Sequence, residues 1–93
     1  MDLMLSATVA RAPDAVSADV RGEVVIMCIN RGRYYALDRV GTDVWTKLGA
    51  PRTIADLCDE LKREYDSPKE RLQADVLKML GTLLEAGAIR VIG

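Results

Sequence analysis

The chain has 93 residues, 49% of them hydrophobic and 29% charged, which fits one soluble domain with a modest core and little room for a deep cleft. It contains no His, so imidazole acid–base chemistry, His-activated nucleophiles and His metal sites are excluded. Two cysteines are too few for a four-ligand zinc site, and a net charge of −1 is a poor balance for a nucleic-acid binder.

The N-terminal stretch Met1-Asp2-Leu3-Met4-Leu5 has no basic segment and no long apolar segment, so no targeting signal is read there. Leu5, Ala7 and Val9 alternate with Ser6, Thr8 and Ala10, which predicts a short strand. Pro13-Asp14 marks a turn. Alternation resumes from Val16 to Val20, and Arg21-Gly22 makes a tight connection. Glu23 to Ile29 is the strongest strand signal, rich in β-branched residues. Its apolar run, Val24 to Ile29, falls far short of the ~20 residues that span a bilayer, so no membrane role is expected. Cys28 and Cys58 both sit inside apolar runs; in the cytoplasm, where the protein is expected, they are reduced thiols filling the core.

Asn30-Arg31-Gly32 predicts a hairpin turn, and Arg33 to Leu37 the returning strand. The result is a meander of three strands, or four with the N-terminal one. Residues 24 to 29 do not alternate, so one set of side chains faces the helices. The other set is covered by the N-terminal strand, giving a strand buried on both faces, or by a partner.

Three helices follow. Asp38 caps the first, whose apolar stripe is Val40, Val44, Trp45 and Leu48; Gly49-Ala50-Pro51 ends it. Thr53, with Asp56 three residues on, opens the second. Its stripe is Ile54, Leu57, Cys58, Leu61 and Tyr65. Ser67 as cap and Pro68 at the first helical position open the third, which stops at Gly87. Ala88 to Ile92 forms a last short strand. The fold class is therefore α+β: an N-terminal three- to four-stranded antiparallel sheet, then three helices, in the order of a winged helix-turn-helix domain.

Two features point to binding. The strand Arg33-Tyr34-Tyr35-Ala36-Leu37 ends the meander and carries no Pro, so its outer backbone groups are free to template another strand. Those groups belong either to Tyr34 and Ala36 or to Arg33, Tyr35 and Leu37. On the third helix, stepping ~100° per residue, Val76, Met79, Leu80 and Leu83 form a stripe. Asp75, Lys78 and Thr82 flank it on one side, Leu77 and Leu84 on the other. The polar flank makes Asp75, Lys78, Met79 and Thr82 the groove-side candidates. No catalytic or metal-binding set is found: the carboxylates sit on solvated helix faces beside Lys62 and Arg63, and no Gly-rich phosphate loop is present. DNA reading lacks a basic stripe, because Lys69, Arg71, Gln73 and Lys78 are offset by Glu70, Asp75 and Glu85.

The run Tyr34-Tyr35-Ala36-Leu37-Asp38-Arg39-Val40-Gly41-Thr42-Asp43-Val44-Trp45 resembles the PqqD-like proteins, the peptide-recognition elements of ribosomally made, modified peptides. Thr53-Ile54-Ala55-Asp56-Leu57, Tyr65-Asp66 and Ala74-Asp75-Val76 continue the pattern, which covers about residues 5 to 92. Within that family the chain is most similar to the stand-alone recognition protein of lasso-peptide pathways. It has Asn30-Arg31 where a Pro-Glu would mark the peptide chaperone of quinone-cofactor biosynthesis. The resemblance implies no activity and no cofactor. It implies that a precursor's leader peptide adds as a strand along residues 33–37, beside the third helix. It further implies delivery to a transglutaminase-like leader peptidase, upstream of an asparagine-synthetase-like cyclase. The alternatives are the quinone-pathway chaperone and a winged-helix DNA-binding regulator, and the open edge also suits a second copy of the chain as a homodimer.

Overall fold

The computed structural model describes residues 3–93; Met1 and Asp2, which head the stretch read for a targeting signal, lie outside them. Six strands and three helices follow in the order β1 (Thr8–Arg11), β2 (Ala15–Val20), β3 (Glu23–Cys28), β4 (Arg33–Ala36), α1 (Arg39–Lys47), β5 (Arg52–Thr53), α2 (Ile54–Glu64), α3 (Lys69–Ala86) and β6 (Ile89–Val91). The strands form two antiparallel sheets, β2-β3-β4 and β5-β1-β6.

The meander is present, but the N-terminal strand is not part of it. β1 pairs with β5 through Thr8↔Thr53 and Val9↔Arg52, and with β6 through Val9↔Val91, Ala10↔Arg90 and Arg11↔Ile89. Lying between two neighbours, it has Val9 and Ala10 buried on successive positions, so both its faces are covered. β5 has no strand signature of its own. It is the two residues before α2, drawn into extended pairing by β1.

Within the first sheet, β3 pairs with β2 over six residues and with β4 over four. Arg21 and Gly22 both have positive φ, 57° and 86°, which suits a two-residue hairpin. The Asp19 carboxylate accepts from the Gly22 amide at 2.8 Å. The β3–β4 connection is a single 3-10 turn, Ile29–Arg31, closed by Gly32 at φ 63°. Val24, Ile26 and Cys28 face inward and are buried. Val25 and Met27 are only half-buried, so β3 is not covered on both faces as expected from its sequence; β1, the strand that was to cover it, lies in the other sheet.

Asp38 and Thr53 cap α1 and α2 as their sequences predict, accepting from the Gly41 amide at 2.8 Å and the Asp56 amide at 3.1 Å. The start of α3 differs. Pro68 itself is the cap residue, with extended ψ 140°, and its carbonyl takes the first helical bond, from the Leu72 amide at 3.0 Å. Ser67 is one residue too early to cap; its carbonyl accepts from Lys62 instead.

The core lies between the helices and the inner faces of both sheets. Trp45, Leu48, Ile54, Leu57, Leu61, Leu80 and Leu83 are its largest fully buried members, with Ile26 from β3. Arg11 of β1 lies 4.5 Å above the Trp45 ring and donates to the Trp45 carbonyl, so the second sheet also holds Trp45.

Candidate functional site

The site is built from the strand edge upward. The Leu37 amide donates to the Val24 carbonyl at 2.8 Å. Antiparallel strands alternate which amides point to a given neighbour, and the register pairs Tyr35 with Ile26 and Arg33 with Cys28. The amides of Arg33, Tyr35 and Leu37 therefore turn toward β3, and those of Tyr34 and Ala36 turn out. β4 has one neighbour, so these outward amides and their carbonyls face the open edge.

α3 runs beside that edge. Leu72, Val76, Leu80 and Leu83 sink into the core, and Met79 and Thr82 stand at the rim. Between helix and edge runs a trough of about 270 Å³, lined by Tyr35, Ala36, Leu37, Asp38 and Gly41 on one wall and Met79, Thr82 and Leu83 on the other. It continues over Val40, Asp75 and Lys78 into a second depression of about 420 Å³. The lining is largely apolar, with the Asp38 carboxylate in one wall and Asp75 and Lys78 at the far end.

Of the nine candidate residues, Tyr35, Ala36, Leu37, Asp75, Lys78, Met79 and Thr82 are brought together along this trough. Tyr34 and Arg33 are not. Tyr34 projects from the opposite face of the sheet, 67% exposed, and Arg33 is exposed at the start of β4. Sequence reasoning missed Asp38 and Gly41 as wall residues, although Asp38 carried a signal as the cap at the strand-to-helix junction. Gly41 sits in a tight spot: an added Cβ would lie 3.2 Å from both the Asp38 carboxylate and the Leu37 Cβ, so those neighbours would have to shift slightly to admit it. Asp38→Ala is expected to cost about 1 kcal/mol in a urea melt, and Asp38→Asn only a few tenths, because asparagine caps as well as aspartate.

The only two thiols, Cys28 and Cys58, are buried elsewhere, and burial pushes both up, away from the reactive thiolate. Among the described residues no cluster of three or more His, Cys, Asp or Glu is placed to hold a metal ion, and no helix is long and apolar enough to cross a membrane.

The family model described as coenzyme PQQ synthesis protein D (PqqD) matches residues 23–89. The chain belongs to the PqqD family. The matched span runs from β3 to β6 and includes both walls of the trough. Two solved structures share the fold. One, described as TbiB1 in complex with the TbiA(beta) leader peptide, has a TM-score of 0.81 at 24% identity, covering 90% of this chain and 98% of that one. The other, a lasso peptide synthetase B1 complexed with the leader peptide, has a TM-score of 0.76 at 20% identity, covering 88% and 96%. No curated protein matches the chain. The PqqD-like α+β fold expected from the sequence is the fold found, with its strands divided between two sheets rather than gathered in one.

Proposed function

We propose that this PqqD-family chain is a non-catalytic recognition protein for the leader of a ribosomally made precursor peptide. In this reading it serves lasso-peptide biosynthesis and presents the bound precursor to a separate leader peptidase. The observation that carries it is the open β4 edge, with the Tyr34 and Ala36 amides directed outward, next to a trough walled by α3. An extended peptide that adds to such an edge gains main-chain hydrogen bonds, which set its register, while alternate side chains drop into the trough. The family membership and the likeness to two proteins described in complex with leader peptides support the same reading.

Affinity follows from opposing terms. Each main-chain bond contributes about 0.5–1.5 kcal/mol net. An unfolded leader loses conformational entropy on ordering, so apolar anchors must supply the surplus. Met79, Leu37 and Leu83 offer the apolar wall for them.

The test is a titration of the pure protein with a fluorescently labelled leader from the precursor encoded alongside it. Saturable binding tighter than ~100 μM, about 5–6 kcal/mol, is expected. Its absence overturns the reading, and tight, salt-sensitive binding to duplex DNA in its place would make the protein a DNA reader.

A further inference from the structure

The β2-β3-β4 sheet has a second open edge, β2, and it differs from β4. The β2–β3 register, with the Ile29 amide donating to the Asp14 carbonyl, turns the amides of Val16, Ala18 and Val20 toward β3. Those of Ser17 and Asp19 therefore point outward. β2 has one neighbour, and its six residues exceed the four of β4. It carries no Pro, no bulge and no Lys or Arg, devices that commonly keep an edge from pairing. Both its faces are also bare. Ser17 and Asp19, on the helix side, are exposed. Val16 and Val20, on the outer side, are 48% and 53% exposed, so these valines serve no core.

We infer that β2 pairs with β2 of a second copy of the chain, antiparallel, about a two-fold axis at Ala18. Two observations select that occupant. The first is self-complementarity. With Ala18 opposite Ala18, Ser17 of each copy faces Asp19 of the other, and each such pair exchanges both main-chain hydrogen bonds. The outward amides of both residues are thereby satisfied. Val16 meets Val20 of the second copy on the outer face, with Cβ atoms ~5 Å apart, and the contact recurs by symmetry. Asp19, the only charge in the strand, meets a hydroxyl donor rather than its own counterpart. Beyond the strand, Arg21 of one copy comes across from Ala15 and next to Asp14 of the other, placing opposite charges together at both ends. An axis moved to Asp19 would instead set two carboxylates face to face.

The second observation is room. A strand that arrives as part of a second domain brings helices to the helix side of the joined sheet. At β4 that side is walled by α3, which leaves a trough suited to an extended peptide. At β2 the helix side is open over Ser17 and Asp19, so two domains can approach until their strands pair. The product is a continuous sheet in the order β4-β3-β2-β2-β3-β4. Its two ends are the β4 edges, so each copy keeps its trough free. Pairing along one short edge buries well under the ~1,200 Å² of a stable specific interface, so the dimer is a weak, reversible one. The inference does not depend on the leader-binding reading above.

The experiment is sedimentation velocity on the full chain from about 5 to about 500 μM. The weight-average sedimentation coefficient should climb from the monomer value toward that of a dimer. Ser17→Asp sets a carboxylate against Asp19 of the second copy and should raise the dissociation constant at least about tenfold. Exchanging the two residues, Ser17→Asp with Asp19→Ser, restores the pair and should bring the constant back to within about threefold of wild type. Ser17→Pro removes an outward amide without touching the β2–β3 ladder, and should give a monomer with the wild-type circular dichroism spectrum. A wild-type chain that stays monomeric at the highest concentration overturns the inference. So does a Ser17→Asp variant that dimerises like wild type, or an exchange that restores nothing, whether or not the proline variant folds. A dimer that survives Ser17→Pro but is lost in Ala36→Pro places the contact at β4 and overturns it as well.

Discussion

Trp45→Ala is expected to destabilise the domain by about 3–5 kcal/mol, the range for deleting a large buried aromatic. Trp45 is 2% exposed, is among the largest side chains of the core, and lies beneath the Arg11 guanidinium at 4.5 Å. Its loss removes apolar burial, leaves a void and strips the cation from its π-face. Domains of this size have total stabilities near the low end of about 5–15 kcal/mol, so the variant should be largely unfolded by circular dichroism at 37 °C. Trp45→Phe separates the terms. The indole Nε1 is buried with no hydrogen-bond partner in the chain among the described residues. Phenylalanine deletes that unpaired donor while keeping most of the ring, and should cost less than half as much in the same melt. An alanine variant that melts like wild type and loses only leader binding would make Trp45 a binding residue.

The second large effect separates two neighbouring prolines. Tyr35→Pro removes an amide that points into the β3–β4 ladder and sets the ring against Ile26, so it should fail to fold. Ala36→Pro removes an amide that points outward. The sheet loses no bond, but an incoming strand loses one donor and meets the ring. This variant should keep its circular dichroism spectrum and lose at least about tenfold in leader affinity, or ~1.4 kcal/mol. Tyr34→Pro, the other outward position, provides an independent second measurement. Folded Ala36→Pro and Tyr34→Pro proteins that bind leader normally would place docking away from this edge.

The proline pair also shows what side-chain pattern leaves open. Tyr34 and Tyr35 point to opposite faces by strand periodicity alone, and Asp75, Lys78, Met79 and Thr82 fall on one flank of α3 by helical periodicity alone. Both are one-dimensional properties, and the structure places Tyr35 and the four α3 residues along the trough and Tyr34 on the opposite face. The direction of an amide depends instead on register with the neighbouring strand. Here that is fixed by Leu37 bonding to Val24, a relation between residues that no periodicity encodes. The fate of β1 was hidden for the same reason. Alternation from Leu5 to Ala10 marks a strand without naming its neighbours, and one neighbour, β5, is only two residues long. Ser67-Pro68 offered two plausible caps one residue apart, and the extended ψ of Pro68 decided between them. Val16, Ala18 and Val20 read as an ordinary alternating strand, and only the placement of the sheet shows that their apolar side faces water.

The pairing of β1 with β6 bears on how the molecule would respond to tension. The Thr8 amide donates to the Gly93 carbonyl at 2.9 Å, and the Ile92 amide donates to the Thr8 carbonyl at 2.9 Å, so residues 8 and 93 are hydrogen-bonded neighbours. The strands are antiparallel, and a pull applied between those two residues peels them apart one rung at a time rather than shearing all rungs together. Until the last rung, from the Ala12 amide to the Ala88 carbonyl, yields, the β2-β3-β4 meander is off the load path, whereas β5, paired with β1, is not. The open β4 edge would keep its shape under a tether that had already begun to open the other sheet.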